Sequence, residues 1–184
     1  MKNYLITGIA GSGKSAVGEA LADKGYRVIE FDGAPSEKII FKLPYRQRYD
    51  RRTDQPATFV RGSGWDELQY VDWRVDRELL LPDLEGPENQ IQFISGYANN
   101  WHDFKDDFDG IFLLEVGQSI IEQRLLNRTS GDWGRKYPEE LQHAIETVAD
   151  FNDSIKQLGA TAMNAEAPVD EIVAGILTII ESRN

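Results

Sequence analysis

Residues 4–25 read YLITGIAGSGKSAVGEALADKG. An apolar run breaks into glycines at 8, 11 and 13, passes a lysine and a serine, and resumes as an amphipathic pattern. The stretch GIAGSGKS (8–15) fits G-x-x-x-x-G-K-[ST], placed between a predicted strand and a predicted helix. Glycines let the backbone turn sharply and aim its N–H groups inward without Cβ obstruction. Those donors and the positive end of the following helix make an anion cradle. In it, Gly8, Gly11, Ser12, Gly13, Lys14, Ser15 and Ala16 surround a triphosphate. Lys14 reaches its outer phosphates and the Ser15 hydroxyl ligates Mg²⁺. The bland alternative is a glycine-rich turn with an incidental lysine.

The rest of the composition bounds what such a loop can serve. At 184 residues the chain fits one domain, large enough to bury about 70% of its unfolded surface. A formal net charge of −11 argues against non-specific nucleic-acid binding, although positive groups gathered locally would still hold a small anion. The absence of cysteine excludes disulfides, zinc-thiolate sites and cysteine nucleophiles, and fits a reducing cytoplasm. No run approaches the roughly 20 apolar residues of a membrane span, and the apolar run after Lys2 is too short for a signal peptide.

Short apolar runs alternate with helical patterns, which predicts an α/β fold around a parallel sheet. Strands are expected at 3–8, 26–31, 89–95, 110–116 and, more weakly, 159–165. Helices are expected at 14–24, 117–128, 138–157 and 168–182, with Gly25 as a left-handed stop to the first. Residues 33–88 break the scheme: polar, rich in Arg and Trp and only patchily helical, they look like an insertion. Residues 129–137 (TSGDWGRKY) look like an exposed loop between two helices.

No guanine-reading N-K-x-D follows a strand, and the third strand ends FISGYANN where a motor-type ATPase would carry acids. Glu115, closing FLLEV, either imitates that acid or is a strand-end carboxylate facing solvent. With the glycine loop, EFD after the second strand, SG after the third, EQRLLNRT before the loop and NAEAPVDEI after the fifth, the chain resembles P-loop small-molecule kinases. These are the nucleoside and nucleotide kinases, with adenylate and shikimate kinases as familiar members. The resemblance spans the whole chain in order, though only the glycine loop is specific. It implies a three-layer, five-stranded parallel sheet with helices on both faces. It further implies one domain over 1–184, a mobile acceptor-binding segment at 33–88, a lid at 129–137, and ATP with Mg²⁺.

Carried over residue by residue, the resemblance makes Asp32 the acid beside Mg²⁺ and the acceptor hydroxyl, or else a turn cap. Arg124 and Arg128 become the paired arginines at the lid base, and Arg135 the lid arginine that offsets charge on the transferring phosphoryl group. Lys14, Asp32, Arg128 and Arg135 are thus the expected catalytic set; the alternative for the arginines is a solvated surface. Asn164 and Ala165 border adenine, or form an ordinary strand-to-helix turn. Trp133 either plugs the lid or packs on a neighbouring helix. Arg46, Arg48, Arg51, Arg52 and Arg61 either bind an anionic acceptor or form a solvated face partnered by Asp50 and Asp54. Asp32, Arg52, Arg61, Gly96 and Tyr97 are the expected acceptor residues, with Gly96 admitting a close approach to the backbone. Asn99, Asn100, Trp101 and His102 stand nearby, and His102 suits a surface hydrogen bond or a base. The expected activity is transfer of the ATP γ-phosphoryl group to a small anionic acceptor by a cytoplasmic monomer or homodimer, with neither nucleic acid nor membrane as partner. The alternatives are a nucleotide-gated regulatory protein without transfer, and a kinase toxin acting on a nucleotide sugar.

Overall fold

The computed structural model describes residues 1–32, 37–42, 45–57, 66, 69–128 and 138–183. Arg61, Trp133 and Arg135, together with the expected lid at 129–137, lie outside the described residues. Strand β1 (Lys2–Thr7) is buried from Asn3 onward. It leads through the glycine loop into α1 (Lys14–Asp23) and β2 (Arg27–Glu30). After the insertion come β7 (Ile91–Ser95), a 3₁₀ helix (Trp101–Asp107) and β8 (Gly110–Glu115). Helices α3 (Gln118–Leu126) and α4 (Pro138–Gln157) follow, then β9 (Thr161–Asn164) and α5 (Val169–Ser182). Gly25 ends α1 at φ 89°, with its N–H donating to the Ala22 carbonyl.

With β3 (Ile40–Phe41) following β2, the described sheet is parallel and runs β3-β2-β7-β1-β8-β9. It has six strands rather than the five expected. The extra one, β3, is a two-residue edge strand set against Ile29 and Glu30. It is too short to leave a periodic signal, and its pairing is decided by the neighbour. Alternation along the strands splits the core between the faces. Tyr4, Ile6, Phe93 and Phe112 cluster with Val17 and Leu21 of α1 and with Val173 and Ile176 of α5. Leu5, Ile29, Ile94 and Leu113 cluster with Trp101, Phe104, Phe108 and Ile155.

The insertion departs from its patchily helical expectation. It builds a second, antiparallel sheet, β5-β4-β6, from β4 (Arg46–Asp50), β5 (Gln55–Pro56) and β6 (Val71–Val75). Helix α2 (Arg77–Leu84) follows, capped by Asp76, whose carboxylate accepts from the Glu78 and Leu79 amides. Strand β4 hides in the sequence because polar residues occupy both of its faces; α2 hides because Pro82 interrupts it. Cations stacked on rings hold this sheet: Arg46 and Arg48 lie over Trp73, and Arg74 over Tyr49.

The outer edge of β6 is closed by the loop after β7. Asn99 Oδ1 accepts from the Trp73 amide at 2.9 Å, and the Asn99 amide donates to the Trp73 carbonyl at 2.7 Å. Asn100 Oδ1 accepts from the Val75 amide at 2.9 Å, and its Nδ2 donates to the Val75 carbonyl at 3.1 Å. Two asparagines thus do the work of a pairing strand and fasten the insertion to the core. Asn100→Ala orphans both Val75 groups. It is expected to lower stability by about 1–3 kcal/mol and to speed amide exchange at Val75; unchanged exchange there would show the docking to be dispensable.

Candidate functional site

The carboxyl ends of β1, β2 and β7 meet at the glycine loop. Gly13 is the N-cap of α1 at φ 97°, no side chain caps this helix, and its first turn carries no acid. The first-turn N–H groups are therefore left for an anion. Gly8 is needed for space, since a Cβ there would meet Ser12 Oγ at 2.6 Å and the Leu114 carbonyl at 2.9 Å. Lys14, 7% exposed, folds its ammonium back to donate to the Gly8 and Ile9 carbonyls at 2.9 and 3.3 Å. Ala16 stands exposed in the first turn.

Asp32 ties the cradle to the insertion. One carboxylate oxygen, Oδ2, lies 3.5 Å from Lys14 Nζ and 3.7 Å from Arg46 Nη1, and accepts from the Tyr97 amide at 2.8 Å. Arg46 is 18% exposed and is held by the Trp73 ring 4.0 Å below its guanidinium carbon. Among the described residues its guanidinium makes one hydrogen bond, to the Tyr97 carbonyl, long at 3.5 Å. Burial pulls the guanidinium below its ordinary pKa, with Asp32 and Tyr97 opposing the shift. The Tyr97 ring stacks 4.9 Å from Phe151, and burial raises its phenol pKa.

Beneath Asp32 lies a group that the motif assignment missed. Ser15 Oγ donates to Glu30 Oε1 at 2.5 Å, so the loop hydroxyl sits on Glu30 rather than on Asp32. Glu30 is fully buried, and among the described residues its Oε2 has no hydrogen-bond partner, nor does Ser95 Oγ on the strand paired beside it. The signal was present in EFD: residues two apart at a strand end project the same way. Hard oxygen donors with unspent lone pairs suit Mg²⁺, so Ser15, Glu30 and Asp32 fit that ion.

Gly96 has a different neighbour from the one expected. The Phe31 ring fills the space beside it, 2.3 Å from where a Cβ would stand. Phe31 rests in turn on Trp101, whose indole N–H donates to Thr7 Oγ1; that hydroxyl donates to the Gly96 carbonyl at 2.9 Å. Arg124 bridges the two loops over α1. Its Nη2 donates to the Ala165 carbonyl at 2.8 Å and its Nη1 to the Gly11 carbonyl at 3.3 Å. Helix α3 stops at Leu126, so Arg128 is half-buried beyond the helix and does not continue its face. The Asn164 side chain is spent on the Glu166 amide. Arg52 lies in a solvent-facing turn on Asp50 and over Tyr70, and Glu115 pairs with Lys156. His102 is exposed beside Asp103.

This arrangement of loop and sheet matches solved small-molecule kinases. A gluconokinase from Sinorhizobium meliloti 1021 is 22% identical, with 98% of this chain and 94% of that chain covered and a TM-score of 0.53. A deoxyadenosine kinase from M. mycoides is 16% identical, with 99% and 100% covered and a TM-score of 0.56. A shikimate kinase from Bacteroides thetaiotaomicron is 17% identical, with 98% of each chain covered and a TM-score of 0.59. No protein-family profile and no curated protein matches the sequence. The chain has the fold of P-loop small-molecule kinases.

Burial, opposed by the Ser15 hydrogen bond, pushes Glu30 from 4.5 to about 7; Asp32 raises it further and Lys14 lowers it. The native state therefore holds a proton that the unfolded chain releases. Its stabilising effect is complete below the unfolded pKa and is lost as pH rises through about 7. Without Mg²⁺, stability should fall by up to about 3 kcal/mol between about pH 4.5 and pH 8. Glu30→Gln should flatten that decline in urea midpoints; an equal slope in both proteins would mean that Glu30 ionises freely.

Proposed function

We propose that this protein is an ATP-dependent, Mg²⁺-assisted phosphotransferase acting on a small anionic acceptor. One observation carries the reading: Asp32 is shared between the glycine-loop lysine and a buried arginine of the insertion. On the donor side, the uncapped N-terminus of α1 and Lys14 take the triphosphate. When phosphates arrive, the lysine exchanges loop carbonyls for phosphate oxygens, which are stronger acceptors because they are charged. Arg124 supplies a planar cation against the 164–165 turn, where a nucleobase would stack, and the kinase-fold neighbours include a deoxyadenosine kinase solved with bound dATP.

On the acceptor side, Arg46 leaves most of its five N–H donors unspent among the described residues, although it is largely removed from water. A guanidinium in that condition favours a carboxylate or phosphate in the cleft. Trp73 keeps the fork from turning away. Asp32, pinned by the Tyr97 amide, orients an acceptor hydroxyl or takes its proton. When bound, Mg²⁺ supplies charge neutralisation on the phosphates. Ser15, Glu30 and Asp32 are the residues to hold it, either directly or through its waters. Arg128 and the lid arginine Arg135 complete the proposed catalytic set, while Arg52, Arg61 and Tyr97 border the acceptor. Cytoplasmic location and a monomeric or homodimeric state belong to the same reading, as does the absence of nucleic-acid and membrane partners. Among the described residues no helix is long and apolar enough to cross a membrane.

ADP release should be followed with ATP, Mg²⁺ and panels of carboxylated, phosphorylated and neutral hydroxyl compounds. Turnover is expected to be confined to the anionic panels; slow hydrolysis indifferent to every acceptor would end the proposal. Lys14→Ala should abolish transfer. Arg46→Ala should lower acceptor kcat/KM by roughly 10²-fold or more while leaving nucleotide affinity near wild type, and an equal loss in both would remove Arg46 from the acceptor side.

A further inference from the structure

A groove of about 620 Å³ lies between α4 and the carboxyl ends of β8 and β9. None of Lys14, Asp32, Arg46 or Arg124 lines it. Its floor is apolar, formed by Val148 and Ala149 of α4 and Ala162 of β9. The anomaly is Asn152. It follows Val148 on the core-facing stripe of α4 and is 7% exposed. Its carboxamide makes no hydrogen bond to the described residues. Its remaining exposure opens onto the groove it lines, so the amide is available to an occupant of the groove.

The rim narrows the choice of occupant. Glu115, Asp153 and Glu166 line the groove, and among the described residues no lysine or arginine does. Lys156 neutralises Glu115 at 2.6 Å from the edge. Lys156 also feels the charge of Asp153, but no described cation forms an ion pair with Asp153 or Glu166, and among the described residues Glu166 keeps one oxygen free while the other accepts from the Gly117 amide. The other rim amides are occupied: Gln118 donates to the Ile145 carbonyl and Asn164 accepts from the Glu166 amide. Uncommitted carboxylates repel a triphosphate or an anionic acceptor, and the short apolar floor accommodates a few methylenes.

We infer that this groove is a binding site for a small aliphatic amine. An ammonium of the ligand meets Asp153 and Glu166, its chain lies on Val148, Ala149 and Ala162, and Asn152 Oδ1 accepts from an N–H of the ligand. The site reports to the nucleotide side of the molecule. Glu166 belongs to the same turn as Ala165, whose carbonyl holds Arg124 over the glycine loop. An amine drawing on Glu166 therefore acts on the turn that positions Arg124.

The test is calorimetric titration of the nucleotide-free full chain with 1,4-diaminobutane, with 1,4-butanediol and succinate as controls, so the result does not depend on phosphotransfer. The diamine is expected to bind and the controls not to. An Asp153→Asn, Glu166→Gln double variant, which keeps an acceptor for the Gly117 amide, should weaken binding by about tenfold or more. Asn152→Leu should also weaken it; a wild-type affinity in this folded variant would overturn the assignment. So would diol binding equal to that of the diamine, or no heat with diamine up to about 10 mM.

Discussion

Burial of β1 between β7 and β8 is the constraint on which the rest of the structure depends. The chain leaves β1 toward β2 on one side and reaches β8 on the other, so the strand order reverses around it. Crossovers that diverge in this way leave a crevice at the carboxyl ends of the strands. The glycine loop has nowhere else to emerge. The Thr7 hydroxyl at the end of β1 fastens the neighbouring strand end through the Gly96 carbonyl, and Trp101 holds Thr7 from behind. The anion cradle therefore stands on a floor fixed by hydrogen bonds and aromatic packing rather than on a free turn.

The insertion is built on a different principle. Its sheet has little apolar surface and is held by guanidinium–ring stacking, ion pairs and borrowed backbone pairing from Asn99 and Asn100. Such interactions stabilise less per contact than a packed core, but they are directional. What they secure is the placement of Arg46 over Asp32. The two halves of the candidate site thus come from two architectures joined through one residue, Tyr97, whose amide serves Asp32 and whose carbonyl serves Arg46.

Several local features cost stability at this point. Glu30 is a carboxyl buried beside a second acid, and its Oε2, with Ser95 Oγ, lacks partners. Lys14 is buried against loop carbonyls. Each is unfavourable in isolation; on the proposed function a cation and a polyphosphate would supply the missing partners, the pattern expected where function overrides local preference. Phe31 shows the opposite case. Lying between Glu30 and Asp32, just past the end of β2, it points away from the site and packs against Gly96 and Trp101, fixing the direction of the two acids on either side.

Much of this was legible in the residues alone. The glycine loop, the apolar runs that became β1, β2, β7, β8 and β9, and the periodic patterns that became α1, α3, α4 and α5 all rest on local signals: steric freedom at glycine, strand alternation and helical repeat. The same signals hid β4, where polar residues take both faces, and α2, where Pro82 breaks the pattern. They also left β3 without a trace, since two residues have no period. The sequence by itself determined that a strand, an anion-binding turn and a helix follow one another, because that unit is encoded within some twenty consecutive residues. Only the tertiary structure decided that Ser15 lies on Glu30, that Arg46 stands over Asp32, and that Gly96 faces Phe31 rather than open space. Those contacts join residues distant along the chain, and their partners are chosen by sheet order and docking, which no local pattern records.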